Sequence, residues 1–339
     1  MNKKLFLPVL ILIFSLSLLM FSGCNKDTKQ DEANQPPNGA KQKVTVVLDW
    51  TPNTNHTGLY VAQAEGFFAE QGLDVEIVQP ADNVATQLVA AGKADFGISY
   101  QEEVTFARTE GVPIISIAAI IQHNTSCFSS PVDRNIKSIK DFAGKRYGGW
   151  GGEVENGLLK YLEAKEGMTK PVENINIGSS DFFAATANKT IDFSWIFYGW
   201  TGIEAEGRNI KLDSIFLKDI DPNLDYYTPV IIASEDFLQK NGDLSKKFMT
   251  AVSQGYQFCA ENPDKAADIL LAADSTLPKE LVKNSQAWLA SKYIDDAPQW
   301  GLQKEEIWQN YSQWLMDNGL LEKGFDVKAA FTNDYLPQK

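Results

Sequence analysis

Residues 43–79 read KVTVVLDWTPNTNHTGLYVAQAEGFFAEQGLDVEIVQ, and this stretch decides the fold. Its first seven residues alternate and are rich in valine, the pattern of a strand. Residues 57–70 follow helical spacing, with Leu59, Ala62 and Phe67 among the apolar positions. Residues 73–79 read as a second strand. Strand, helix and strand in that order imply an α/β unit with a largely parallel sheet. The junction between the first strand and the helix carries more than a turn and a cap require. It holds Asp49, Trp50, Pro52, Asn53, Asn55 and His56, the last being one of only two histidines in the chain.

The alternation continues outward. A helix over 83–91 starts after Asp82 and is closed by Gly92. A strand at 95–99, a helix at 101–109 and an apolar strand at 113–121 complete the first series. A second series runs through a short helix at 138–142, a strand at 145–148 and a helix at 153–166. It goes on with a strand at 173–178, a helix at 181–188 and strands at 191–197 and 210–217. Residues 227–233 (YTPVIIA) read as a strand returning to the first lobe. The remainder is helical, over 235–240, 244–261, 263–272, 278–293 and 304–318. The expected architecture is therefore α/β, with two lobes joined by a two-strand hinge and a ligand cleft between them. Crossings near 126–133 and 225–230 place the first lobe at 43–128 and 229–339 and the second at 129–228. No sequence repeat relates the two.

Residues 1–23 stand apart from this pattern. Lys3 and Lys4 precede an apolar run over 5–21, then Ser22, Gly23 and Cys24. The stretch resembles a lipoprotein signal cut before Cys24, with lipid carried on that cysteine. Phe21 departs from the leucine usual at its position. The alternative is an ordinary membrane anchor, for which the run is short against the roughly 20 residues of a bilayer span. Residues 24–42 are polar and include Pro36-Pro37, the composition of a flexible tether. The remaining chain, roughly 295 residues, gives room for two lobes.

Net charge is −13, and loss of Lys3 and Lys4 with the signal leaves −15. No basic stripe is present, and such acidity opposes contact with a nucleic-acid backbone. It suits a soluble protein outside the cytoplasm. Cys127 and Cys259 fall in a strand and in a helix interior, where buried free thiols are common; whether they pair stays open. Neither Cys-x-x-Cys nor His-x-x-x-His occurs, so no metal site is expected.

In open α/β sheets, ligands sit beyond the carboxyl ends of the strands. Those positions carry Asp49, Trp50, Asn53, Asn55 and His56, then Tyr100 and Glu102. In the second lobe they carry Trp150, Glu153 and Glu155, then Trp195, Tyr198 and Trp200. A helix N-terminus after a glycine-rich loop (147–152, YGGWGG) is a ready anion site. Here Val154 replaces the third glycine of a dinucleotide fingerprint. Glu153 and Glu155 either complement the helix dipole or meet the ligand. Both readings neutralise the anion site and favour a ligand with amino groups. Phe193, Trp195 and Phe197 share one strand face. Phe193 and Phe197 are expected in the core, and Trp195 is open between core and cleft. Tyr198 and Trp200 lie past the strand and are expected to face ligand, where rings hold flat heterocycles by stacking. His56 lacks a nucleophile, and no Gly-x-Ser-x-Gly elbow exists, so it reads as a supporting contact rather than a base.

Three segments carry a resemblance: LDWTPNTNHTGLYVAQAEGFFAEQGLDVEIVQP at 48–80, GKADFGISYQEE at 92–103 and DFSWIFYGWTGIEAE at 192–206. They are similar to the substrate-binding lipoproteins of thiamin-pyrimidine-precursor ABC importers. That group also includes the fungal thiamin-pyrimidine synthases, nitrate and sulfonate binders and riboflavin-binding relatives. The resemblance covers essentially everything after residue 43. It implies a type II periplasmic-binding-protein fold and a formylaminopyrimidine or related aminopyrimidine as ligand. It further implies an ABC permease as partner and no cofactor; with the signal before Cys24, a monomer lipid-anchored to the outer face of the cell membrane is expected. The synthase branch holds pyridoxal phosphate on a lysine and uses a nearby histidine. Those positions read Ser99 and Glu103 here, and DYYTPVI stands where that branch has a cysteine-rich run. A binder is therefore expected rather than an enzyme. Riboflavin or another flat heterocycle is the alternative ligand; a synthase-like enzyme and a sulfonate receptor are weaker readings.

Overall fold

The computed structural model describes residues 41–80, 84–178, 181–321 and 325–338. The signal, Cys24 and most of the tether expected from the sequence lie outside these described residues. The first lobe begins with β1 (Gln42–Val47), α1 (Thr57–Ala64), α2 (Phe67–Glu70) and β2 (Leu73–Val78). It continues through α3 (Ala85–Ala90), β3 (Phe96–Ser99), α4 (Gln101–Thr109) and β4 (Ile114–Ala119). The second sheet takes β5 (Ser126–Pro131), β6 (Arg146–Gly149), β7 (Glu173–Asn176), β8 (Phe193–Phe197) and β9 (Leu212–Phe216). Its helices are α5 (Glu153–Lys165), α6 (Phe182–Ala187), α7 (Ile203–Gly207) and α8 (Leu217–Ile220). The chain returns with β10 (Val230–Ser234), α9 (Glu235–Lys240), α10 (Gly242–Glu261), α11 (Pro263–Ala273), α12 (Lys279–Leu289) and α13 (Glu305–Asp317).

Alternation along β1 explains why the sheet is covered on both faces. Val44 and Val46 enter one apolar cluster and Val47 the opposite one, as expected for a parallel sheet between helical layers. The sheet order is β2-β1-β3-β10-β4, and β10 runs antiparallel to both neighbours. The second sheet repeats this order as β7-β6-β8-β5-β9, with β5 antiparallel. Each sheet thus takes its one reversed strand from the chain just after a crossing. An aromatic cluster of Phe128, Phe142, Tyr147, Phe193 and Trp195 fills one face of the second sheet.

Three differences from the sequence reading have physical causes. The single helix expected over 57–70 is broken at Gly66, whose φ of 84° is open to glycine and costly for other residues. The first crossing precedes Ser126, because β5 pairs in the second sheet along its length. The crossing segments are tied to each other: Asn124 N–H donates to Asp225 Oδ1 at 2.8 Å and Asn124 Nδ2 to the Leu224 carbonyl at 2.9 Å. Finally, α13 serves both cores. Trp308 packs with Val230 and Ile232 of the first lobe, while Tyr311, Trp314 and Leu315 pack with the aromatic cluster of the second. Cys127 and Cys259 are buried free thiols. No helix among the described residues is long and apolar enough to cross a membrane.

Candidate functional site

The loop after β1 is built on reciprocal capping. Asn53 Oδ1 accepts from Asn55 N–H at 2.9 Å, and His56 Nδ1 accepts from Asn53 N–H at 3.3 Å. His56 thus stands where a capping box has glutamate or glutamine. With Nδ1 accepting, Nε2 carries the proton and donates to Asp49 Oδ1 at 2.6 Å. Tyr100, from the end of β3, donates to Asp49 Oδ2 at 2.6 Å. Burial works against ionisation of Asp49, but His56 and the bonds from His56 and Tyr100 outweigh it. The carboxyl is held below its usual range. Burial and the Asp49 charge push the Tyr100 phenol well above its own. Asp49 is thus a fixed carboxylate that sets the Tyr100 ring in place.

A cavity of about 450 Å³ lies between the lobes, and Asp49, Trp50, Asn53, Asn55 and Tyr100 form its first-lobe wall. Trp50 is 56 % exposed. His56 corrects the expectation of a cleft-facing histidine: it is fully buried behind Asp49.

The opposite wall departs further from the sequence reading. Trp150 and Trp195 line it, their rings 5.5 Å apart. Glu155 does not. Its buried carboxylate accepts from Tyr147 Oη at 2.5 Å and from the amides of Gly151, Gly152 and Trp150 at 2.7, 3.2 and 3.3 Å. A Cβ at residue 149 would stand 2.2 Å from Glu155 Oε1, so this approach requires Gly149. The anion position at the start of α5 is occupied by the chain's own carboxylate. Glu153 is exposed and outside the cavity wall. Tyr198 also turns away, because a π-helical turn over Tyr198–Gly202 follows β8. Its hydroxyl donates to Glu206 at 2.7 Å and its ring lies 5.5 Å from Trp288. Glu102 lies outside the cavity, and burial, with a smaller push from the Glu103 charge and against a hydrogen bond from Tyr226, moves its carboxyl up to about 7.

Several wall residues were not singled out from the sequence as ligand contacts. Asp181 and Glu204 bring carboxylates to the cavity. Asp181 accepts from Ala184 N–H as a helix cap, and Glu204 pairs with Arg208 four residues on. Local pattern accounts for both, so nothing in the sequence marks them for ligand. Phe197, expected in the core, is 38 % exposed and lines the cavity; Trp200, expected from the sequence at this position, lines it too. Among the described residues the wall contains no lysine, arginine, histidine or cysteine. No group of side chains suited to a metal occurs among them either. The volume falls within the roughly 300–1,000 Å³ of small-molecule sites. Aromatic faces, and carboxylates on a wall without basic side chains, suit a flat, amino-bearing ring rather than an anion.

The sequence profile of the NMT1/THI5-like family matches residues 53–266. The chain belongs to the NMT1/THI5-like family. One relative, the formylaminopyrimidine-binding protein of Halalkalibacterium halodurans, is 28 % identical, over 95 % of this chain and 98 % of its own. The 4-amino-5-hydroxymethyl-2-methylpyrimidine phosphate synthase of Legionella pneumophila is 25 % identical, over 88 % of this chain and 93 % of its own. The NMT1/THI5-like relatives thus include both a binder and a synthase. Among solved structures, the periplasmic nitrate-binding protein NrtA of Synechocystis superposes with a TM-score of 0.65 at 15 % identity. It covers 89 % of this chain, and 88 % of NrtA is matched. That likeness is one of fold: this NMT1/THI5-like chain has the two-lobed type II periplasmic-binding-protein fold.

Proposed function

We propose that the chain is an extracytoplasmic solute-binding protein that captures an aminopyrimidine thiamin precursor of the formylaminopyrimidine type and passes it to an ABC permease. The composition of the cavity wall carries this reading. Trp50 and Trp195 offer ring faces from opposite lobes for stacking. Asp181 and Glu204 accept from ring amino groups, and Asn53, Asn55 and Tyr100 set orientation. The name of the Halalkalibacterium relative supports the ligand class.

A binding rather than catalytic role is supported by the same wall. Ser99 and Glu103 stand where the resemblance places the cofactor lysine and the histidine of the synthase branch. Ser99 donates to Glu103 Oε2 at 2.7 Å, and neither residue reaches the cavity. The proposal includes a lipid on Cys24, which holds a monomer at the outer membrane face.

The test is thermal unfolding with formylaminopyrimidine, with nitrate and with methanesulfonate. Formylaminopyrimidine at a hundred times its dissociation constant stabilises by about 2.7 kcal/mol, and the two anions do nothing. Trp50→Ala weakens binding at least about thirtyfold, as loss of an aromatic anchor does, without lowering the melting temperature of the free protein. A shift with the anions alone, or full binding by Trp50→Ala, overturns the reading.

A further inference from the structure

Away from the hinge, the two lobes meet again through α12. The first lobe carries this helix: Val282 packs with Ala267 and Leu270 of α11 and with Tyr60 of α1. Its other side meets the second lobe. The Trp288 ring faces Tyr198, and Trp200 of the cavity wall joins the Val282 cluster. A Cβ at residue 199 would stand 3.1 Å from Trp288 Cζ3 and 3.2 Å from Leu289 Cδ2, so glycine there lets α12 approach the turn.

One buried hydroxyl sits at the centre of this contact. Ser285 Oγ donates to the Gly199 carbonyl. A hydroxyl has one proton, so the 2.6 Å contact to Thr54 Oγ1 is a bond that Thr54 donates and Ser285 accepts. Thr54 lies between Asn53 and Asn55, and Gly199 adjoins Trp200; Asn53, Asn55 and Trp200 all line the cavity. The Thr54 side of the bridge is stiff. Tyr293 Oη donates to the Thr54 carbonyl at 2.7 Å and Tyr256 Oη to the Asn55 carbonyl at 2.6 Å. Movement of the second lobe against α12 is therefore felt at the loop that carries the two asparagines.

We infer that Ser285 is a positioning residue that couples the two walls of the cavity, joining the Asn53–Asn55 loop to the Trp200 turn when the lobes are closed. This rests on the reading of the cavity as a ligand site. Ser285 touches no ligand itself; it holds the closed arrangement in which both walls act at once.

The test uses spin labels on Lys93→Cys and Lys160→Cys, exposed positions in different lobes, together with binding of formylaminopyrimidine. In ligand-free protein, Ser285→Ala broadens the interlobe distances toward longer values. Its affinity falls about tenfold, as loss of two buried hydrogen bonds implies, mostly through faster dissociation. Thr54→Val weakens binding with the distances unchanged, and adding it to Ser285→Ala weakens binding no further. Unchanged distances in Ser285→Ala, or losses that simply add, overturn the inference. If Ser285→Ala does not fold, Thr54→Val decides alone: binding equal to wild type overturns it. If wild type fails to bind formylaminopyrimidine, the ligand reading falls, and the distances still judge the coupling.

Discussion

Glu102 is the side chain most at odds with its surroundings. Its Oε2 is enclosed without a hydrogen-bond partner, and burial keeps the carboxyl protonated up to about 7. In the unfolded chain a glutamate ionises near 4.5. Between these values the unfolded state binds fewer protons than the folded one, so stability falls as pH rises from 4.5 to about 7 and levels off above. Glu102→Gln should remove most of this slope and add about 2–3 kcal/mol at pH 8. It should match wild type below pH 4.5, as read from urea unfolding at several pH values. Glu103, also raised by burial, leaves a weaker slope of the same sign. Equal stabilities at pH 8 would refute the assignment.

Among the elements, the start of α5 shows how a loop is fixed from within. Glu155 accepts from a phenol and three amides. Its removal leaves those donors without their acceptor, at about 1–3 kcal/mol for each buried group left unpaired. Glu155→Ala should cost about 3 kcal/mol in chemical denaturation, with Glu155→Gln intermediate; a loss below about 1 kcal/mol would show that the loop re-forms around water.

The same element shows what a sequence conveys and what it withholds. The strand and helix series was legible because valine alternation and helical spacing are local. The wall formed by Asp49, Trp50, Asn53, Asn55 and Tyr100 was legible because residues past strand ends face the cleft. Glu155 was legible as a residue of the first helical turn, but not its inward direction, which depends on Tyr147 and Gly149. Tyr198 was misplaced because a π-helical turn adds a residue per turn without a local sign. Asp181 and Glu204 each satisfy a local helix rule, and only the packing of distant elements brings them to the cavity.

At the scale of the molecule, α13 packs into the apolar cores of both lobes. Leu315 is fully buried in the second-lobe core, although it lies far beyond that lobe in sequence. Leu315→Ala should cost about 3 kcal/mol. Hydrogen exchange should quicken in β6 and β8, and unfolding should remain a single transition. Protection unchanged in those strands would mean that the second lobe stands without the helix.

This arrangement orders events in time. The second lobe's strands are complete once β9 has been made, yet its apolar core draws on Tyr311, Trp314 and Leu315 of α13, which follows β9 by about ninety residues. A chain emerging from a ribosome or through a membrane pore carries that core open until α13 arrives. The interval during which it can be threaded, held or cleaved is set by the distance from β9 to α13.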